Sequence, residues 1–147
     1  MVRVETSVRI ERPVGEVFEY IADPTKLPEW NTIIESATPS DTPVRAGSKV
    51  QMHARFLGKK IDYTAEVTEF ERNQRFVTRT QKPFALTNIN TFAEEAGGTR
   101  VVATYEADPG AFFKLGESIV SRIAKKQLQA QLETVKELLE AAVPAQR

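Results

Sequence analysis

The feature that most constrains this chain is a change of period along it. Up to about residue 107 the apolar residues recur mainly at every second position, and beyond Asp108-Pro109 they recur at every third and fourth. Period two marks strands with one buried face; the three-four spacing marks a helix with one buried stripe. In the first strand Val2, Val4, Thr6, Val8 and Ile10 share a face, with Arg3, Glu5, Ser7 and Arg9 opposite. Pro13 stops it, having no N–H to donate, and suits the first turn of a helix. Val14, Val17, Phe18 and Ile21 then follow at helical spacing over residues 13–22. Asp23-Pro24 is a cap-then-proline signal that opens a second short helical segment carrying Leu27 and Trp30, which Pro28 keeps brief; Asp108-Pro109 repeats the signal before the long helix.

Six further strands are predicted. They cover 32–37, the stretch after Gly47 with Val50, Met52, Ala54 and Phe56 inward, and the return with Ile61, Tyr63, Ala65 and Val67 inward. The last three are 75–81, 84–95 and 99–107, and Phe70 comes back inside after a local irregularity. Turn-rich stretches at 39–43, 57–60, 73–74 and 97–98 join neighbours, which predicts an antiparallel meander with one crossover where the early helices intervene. From 111 to 142 there is no proline, and Phe112, Leu115, Ile119, Ile123, Leu128, Leu132, Val135 and Leu139 form one stripe. This predicts a single long amphipathic helix, frayed or kinked near Gly116 and ended by Pro144.

The fold class is therefore α+β: a seven-stranded curved antiparallel sheet, two short helices after strand 1, and a long C-terminal helix that the sheet wraps. A chain of 147 residues with 41% hydrophobic and 27% charged residues fits one globular domain over 1–147. Twenty basic residues balance twenty acidic ones, so no broad field draws the chain to nucleic acid or anionic membrane, which leaves only local basic patches open. The absence of cysteine excludes disulfides, thiolate nucleophiles and sulfur-ligated zinc. No apolar leader follows Met1 and no run reaches the ~18 apolar residues of a membrane span. The expectation is a cytoplasmic protein, monomer or homodimer, with no stable membrane insertion.

The order strand, two short helices, six-strand meander and long helix resembles the START-like superfamily. Within it, the bacterial polyketide cyclase/dehydrase and lipid-transport branch is nearest; the birch-pollen-allergen fold has the same helix-grip architecture. The resemblance rests on Ile10-Glu11-Arg12-Pro13-Val14-Gly15-Glu16-Val17-Phe18, on Ala22-Asp23-Pro24 and on Pro28-Glu29-Trp30. It rests also on Thr91-Phe92, on Gly97-Gly98-Thr99-Arg100-Val101 and on the closing helix. Such a fold implies a cavity between sheet and helix, mostly apolar with a few orienting polar groups. It does not imply one activity, since the superfamily includes carriers, cyclases, hydrolases and regulators.

If Phe92 faces inward, as the family pattern implies, so do Leu86, Asn88 and Asn90; a slip of one residue would turn Ile89 and Thr91 inward instead. Two inward asparagines are costly unless bonded, either to a ligand carbonyl or hydroxyl or to each other, a neighbouring strand or buried water. Tyr63 and Tyr105 can pack their rings in the core and aim a hydroxyl at the cavity. Met52 and Phe56 alternate inward, and Gln127 and Gln131 flank the helix stripe. These nine residues are the candidate ligand-binding set: Asn88, Asn90, Tyr63, Tyr105, Phe92, Met52, Phe56, Gln127 and Gln131.

No phosphate loop, zinc-binding helix or nucleophile elbow occurs, so catalytic residues are unassigned, and no metal or cofactor is expected. The one histidine, His53, alternates outward. Arg79 reads as a solvated strand residue and Trp30 as a structural plug. Lys114, Arg122, Lys125 and Lys126 read as a solvated basic face, with membrane docking the lesser alternative. Three functions fit: binding or transport of an apolar small molecule of lipid, polyketide or isoprenoid type; a cyclase/dehydrase-like enzyme that folds its substrate and hydrogen-bonds it; or a protein-interaction or stress-regulatory module whose phenylalanines fill the interior.

Overall fold

The computed structural model describes residues 1–142. Strand β1 (Val2–Ile10) buries Val2, Val4 and Ile10, as its alternation requires. Helix α1 (Val14–Ile21) buries Val17, Phe18 and Ile21. A single 3-10 turn (Pro24–Lys26) follows, in which the Asp23 carboxylate accepts a hydrogen bond from the Thr25 amide at 3.0 Å and caps the segment. Helix α2 (Leu27–Trp30) is one turn long.

The meander comprises β2 (Ile34–Pro39), β3 (Lys49–Phe56), β4 (Lys59–Glu71), β5 (Arg75–Thr80), β6 (Ala85–Glu95) and β7 (Gly98–Asp108). The sheet order is β1-β7-β6-β5-β4-β3-β2 with every pair antiparallel. β1 and β2 are consecutive in the chain yet lie at opposite edges, so α1 and α2 form the crossover. In β4 the pairing shifts between Val67 and Glu69, and this bulge returns Phe70 to the inner face. Leu57 (φ 52°) and Gly58 (φ 78°) make the two-residue β3–β4 turn with two left-handed residues, the twist that hairpins favour. At Gly98 the backbone comes so close to β1 that a Cβ would lie 2.5 Å from the Ile10 carbonyl oxygen.

The long helix departs from the sequence-based expectation at its start. α3 spans Glu117–Ala141, not 111–142. Asp108-Pro109 begins a loop instead, because Gly110 (φ 53°) and Lys114 (φ 57°) are left-handed and break any helix there. Its inner stripe is Val120, Leu128, Gln131, Leu132, Val135 and Leu139, so Leu115 and Ile119 point outward. Pro144 lies outside the described residues.

The far end of α3 is clamped to β1. The Glu140 carboxylate accepts from the Glu11 amide at 2.8 Å and from Lys136 Nζ at 2.7 Å. Lys136 also donates to the Arg9 carbonyl at 2.8 Å, and Arg12 Nη2 donates to the Ala142 carbonyl at 3.1 Å. Among the described residues no helix is long and apolar enough to cross a membrane.

Candidate ligand cavity

The inner face divides into rungs set by the strand register. Val101 and Phe92 lie side by side, then Ala103, Asn90 and Phe76, then Tyr105, Asn88 and Thr78, then Ala107, Leu86 and Thr80. The Phe92 and Phe76 rungs are filled. Phe18 of α1 stands 5.0 Å from Phe92 and 5.3 Å from Phe70 between ring centroids, and Phe70 stands 6.0 Å from Phe76, all edge to face. The next rungs carry Thr78, Thr80, Ala107, Leu86 and Asn88 beside Tyr105 and are not filled. A cavity of about 150 Å³ remains there.

Its walls are Met52, Ala54 and Phe56 of β3, Ile61, Tyr63 and Ala65 of β4, and Thr78 and Thr80 of β5. Val2 of β1, Leu27 of α2, Leu86 and Asn88 of β6, Tyr105 and Ala107 of β7, and Val120 and Ala124 of α3 line it as well. Asn31, Ile33 and Ile34 contribute from the junction of α2 and β2. Pro83, Phe84, Pro109 and Phe113 close one end. Phe113 packs against Phe56 at 5.4 Å and Phe84 at 5.6 Å, while Phe112 stacks on both Phe84 and Phe113 and lies under Lys59 Nζ at 4.9 Å.

Of the nine sequence-predicted residues, Met52, Phe56, Tyr63, Asn88 and Tyr105 line this space. Four do not. Phe92 belongs to the packed end against Phe18. Asn90 is buried beneath Asn88 and donates to its side-chain oxygen at 3.3 Å. Gln131 is buried and accepts from the Tyr105 hydroxyl at 3.0 Å, leaving its own Nε2 with no protein partner. Gln127 is half-buried on α3, beside the lining rather than in it. Sequence reasoning missed Asn31, Thr78 and Thr80, and read Phe84 and Phe113 as fillers of the interior in the interaction-module alternative rather than as cavity lining. The alternation of Thr78 and Thr80 with the inward Phe76 was a usable signal; Asn31 sits in an irregular joint and offered none.

Polar chemistry in the cavity is sparse and uncharged. No carboxylate, amine, guanidinium or imidazole lines it. His53 is on the outer face, its Nδ1 2.8 Å from Asp62. Burial, and then the neighbouring Tyr105, push the Tyr63 phenol well above its ordinary range. Burial likewise pushes Tyr105 up to about 12, against the opposing contacts of the Asn31 and Gln131 amides. Both phenols are therefore neutral hydroxyls near pH 7. Asn88 has its oxygen taken by Asn90 and keeps its N–H groups free for the cavity. Among the described residues no cluster of acidic or histidine side chains is arranged to hold a metal.

The family model for polyketide cyclase / dehydrase and lipid transport matches residues 1–140. The chain belongs to that family. No curated protein sequence matches it. Among solved structures it is similar to TTHA0849 from Thermus thermophilus, with a TM-score of 0.77 and 19% identity over 95% of this chain and 99% of that one. A START superfamily protein from Mycobacterium smegmatis matches with TM-score 0.76 and 14% identity over 94% of this chain and 97% of that one. The di-domain ARO/CYC StfQ from the steffimycin biosynthetic pathway matches with TM-score 0.76 and 16% identity; the match covers 95% of this chain and 51% of StfQ. At these identities the likeness is one of fold, and it establishes the START-like helix-grip architecture.

Proposed function

We propose that this family member is a container for a small, neutral, mainly apolar molecule bearing one or two oxygen atoms. One observation carries the reading: the cavity is apolar on nearly every side, yet Tyr63 and Asn88 line it, and among the described residues neither the Tyr63 hydroxyl nor the Asn88 N–H groups have a hydrogen-bond partner. Buried donors of this kind gain most from an acceptor that arrives with the ligand. Size narrows the class. A space of about 150 Å³ holds one benzene-sized ring. Drug-sized ligands occupy pockets of roughly 300–1,000 Å³. A longer lipid or polyketide would have to displace the Phe84–Phe113 closure and run out past it.

The test is native mass spectrometry of purified protein, followed by thermal melts with a panel running from single-ring phenols to long-chain isoprenoids. Ring-sized ligands with one carbonyl or hydroxyl are expected to raise Tm, and Tyr63→Phe to reduce the rise. A panel that leaves Tm unchanged while nothing co-purifies would sink the container reading.

A second reading has its own support. Neutral phenols at Tyr63 and Tyr105 with the Asn88 amide make a donor set suited to charge building on a substrate carbonyl oxygen. This is the equipment of a cyclase/dehydrase-like enzyme that works by shaping and hydrogen bonding. Chemical change in a bound ligand, slowed by Asn88→Ala, would favour it. The interaction-module reading draws less support, since Phe76 and Phe92 pack at the other end and leave the cavity unfilled.

A further inference from the structure

The closed end of the cavity differs from the rest of the surface in charge. Lys59 and Lys60 open β4, Lys82 precedes the closure residue Pro83, and Lys114 follows Phe113. Arg122, Lys125 and Lys126 lie on the first three turns of α3. Asp62, Asp108 and Glu117 are the acidic residues next to them in the chain, and Asp62 and Glu117 are engaged by His53 and the Met1 amino group. Among the described residues none of the seven cations pairs with a carboxylate. Among the described residues every other lysine and arginine except Arg79 lies within 3.9 Å of one. Apart from Arg79 on β5, the unpaired cations among the described residues thus lie on these four segments of a chain with zero formal net charge.

Exposed apolar side chains gather at the same end. Met1, Leu115 and Ile119 are 70%, 42% and 42% exposed, three of the four large apolar residues most exposed among those described. The Met1 nitrogen lies 2.8 Å from Glu117, which puts Met1 beside the start of α3. Ile119, Arg122, Ile123 and Lys126 recur at helical spacing, so one outward stripe of α3 alternates apolar and basic groups. Apolar side chains set among cations are the composition that seats a helix at a lipid–water boundary.

We propose that this pole docks on an anionic lipid surface, with Leu115 and Ile119 entering the acyl boundary and the seven cations meeting the headgroups. The Phe84–Phe113 closure would then face the bilayer. Docking goes beyond the container reading and is independent of it: vesicle binding can fail while ligands still raise Tm, and the converse also holds.

Co-sedimentation with phosphatidylcholine vesicles, with and without phosphatidylglycerol, tests it. Binding is expected only where phosphatidylglycerol is present, and weaker at high salt. The pair Arg122→Glu and Lys126→Glu is expected to weaken partitioning by about thirtyfold or more, from two lost surface cations. The pair Leu115→Ser and Ile119→Ser is expected to weaken it by about tenfold. Arg55→Gln and Arg72→Gln, in ion pairs on other surfaces, should leave binding unchanged, and thermal melts should show every variant folded. Failure of the folded wild type to bind phosphatidylglycerol vesicles overturns the proposal, as does an unaffected charge-reversal pair. Adsorption that survives the serine pair also overturns it, since charge alone would equally serve an acidic protein partner.

Discussion

The two ends of one interior are built differently although the same strands and the same helix run through both. At the β1–α1 end, Phe18, Phe70, Phe76 and Phe92 interlock and α1 covers them. That end also holds the clamp of Glu140, Lys136 and Arg12 between α3 and β1. At the other end the inner face carries Ala54, Ala65, Thr78, Thr80 and Ala107, and the crossover contributes Leu27 of the one-turn α2 with Asn31, Ile33 and Ile34 rather than a packed helix like α1. Closure there is left to Phe84, Phe112 and Phe113 on loops. One end supplies stability through close packing, and the other gives up packing to keep a cavity. Function is expected where packing is least complete.

The sharpest way to break this comparison is to change side-chain volume at both ends. Phe18→Ala removes a ring 1% exposed and should cost about 3–5 kcal/mol in urea unfolding. Next in size, Ala54→Leu adds bulk where space already exists. It should change stability by less than about 1.5 kcal/mol while ring-sized ligands lose their effect on Tm. A loss at Ala54 as large as that at Phe18 would mean the two ends are packed alike.

The smallest effect lies in alkaline pH. Tyr63 and Tyr105 have folded pKa values raised above the ordinary 10. Below about pH 10 both folded and unfolded phenols keep their protons, so stability is flat. Above it the unfolded chain releases protons first, and stability falls as pH rises toward the folded values. Each tyrosine should contribute about 1.4 kcal/mol per pH unit in that window. Tyr63→Phe should make the fall shallower in urea unfolding measured across it; an unchanged slope would show that the phenol is not desolvated.

Much of this was legible from residue order alone. Period two placed β1, β3 and β4, turn-bounded runs placed the other strands, Pro13 with helical spacing placed α1, and Asp23-Pro24 placed the 3-10 turn, because each reports local backbone geometry. The inward face of β6, with Asn88 and Asn90 beside Phe92, came from the family resemblance; residue order left a slip of one position open. The cap-then-proline signal misled at Asp108-Pro109, where two left-handed residues turn a predicted helix start into the loop that carries Phe112 and Phe113. Periodicity also mistook the first half of the α3 stripe: it chose Leu115 and Ile119, whereas Val120 and Ala124 face the sheet. Both stripes are apolar, and only contact with β1 and the cavity decides which is buried.

By itself, then, the sequence determined the element types, their order and the antiparallel meander, since each depends on neighbours a few residues apart. Tertiary structure decided that Asn88 meets the cavity while Asn90 lies beneath it, that Gln131 is spent on Tyr105, and that the unpaired cations other than Arg79 lie on four segments. Those outcomes depend on strand register, the β4 bulge and the docking of α3, which bring together residues as distant in sequence as Tyr105 and Gln131.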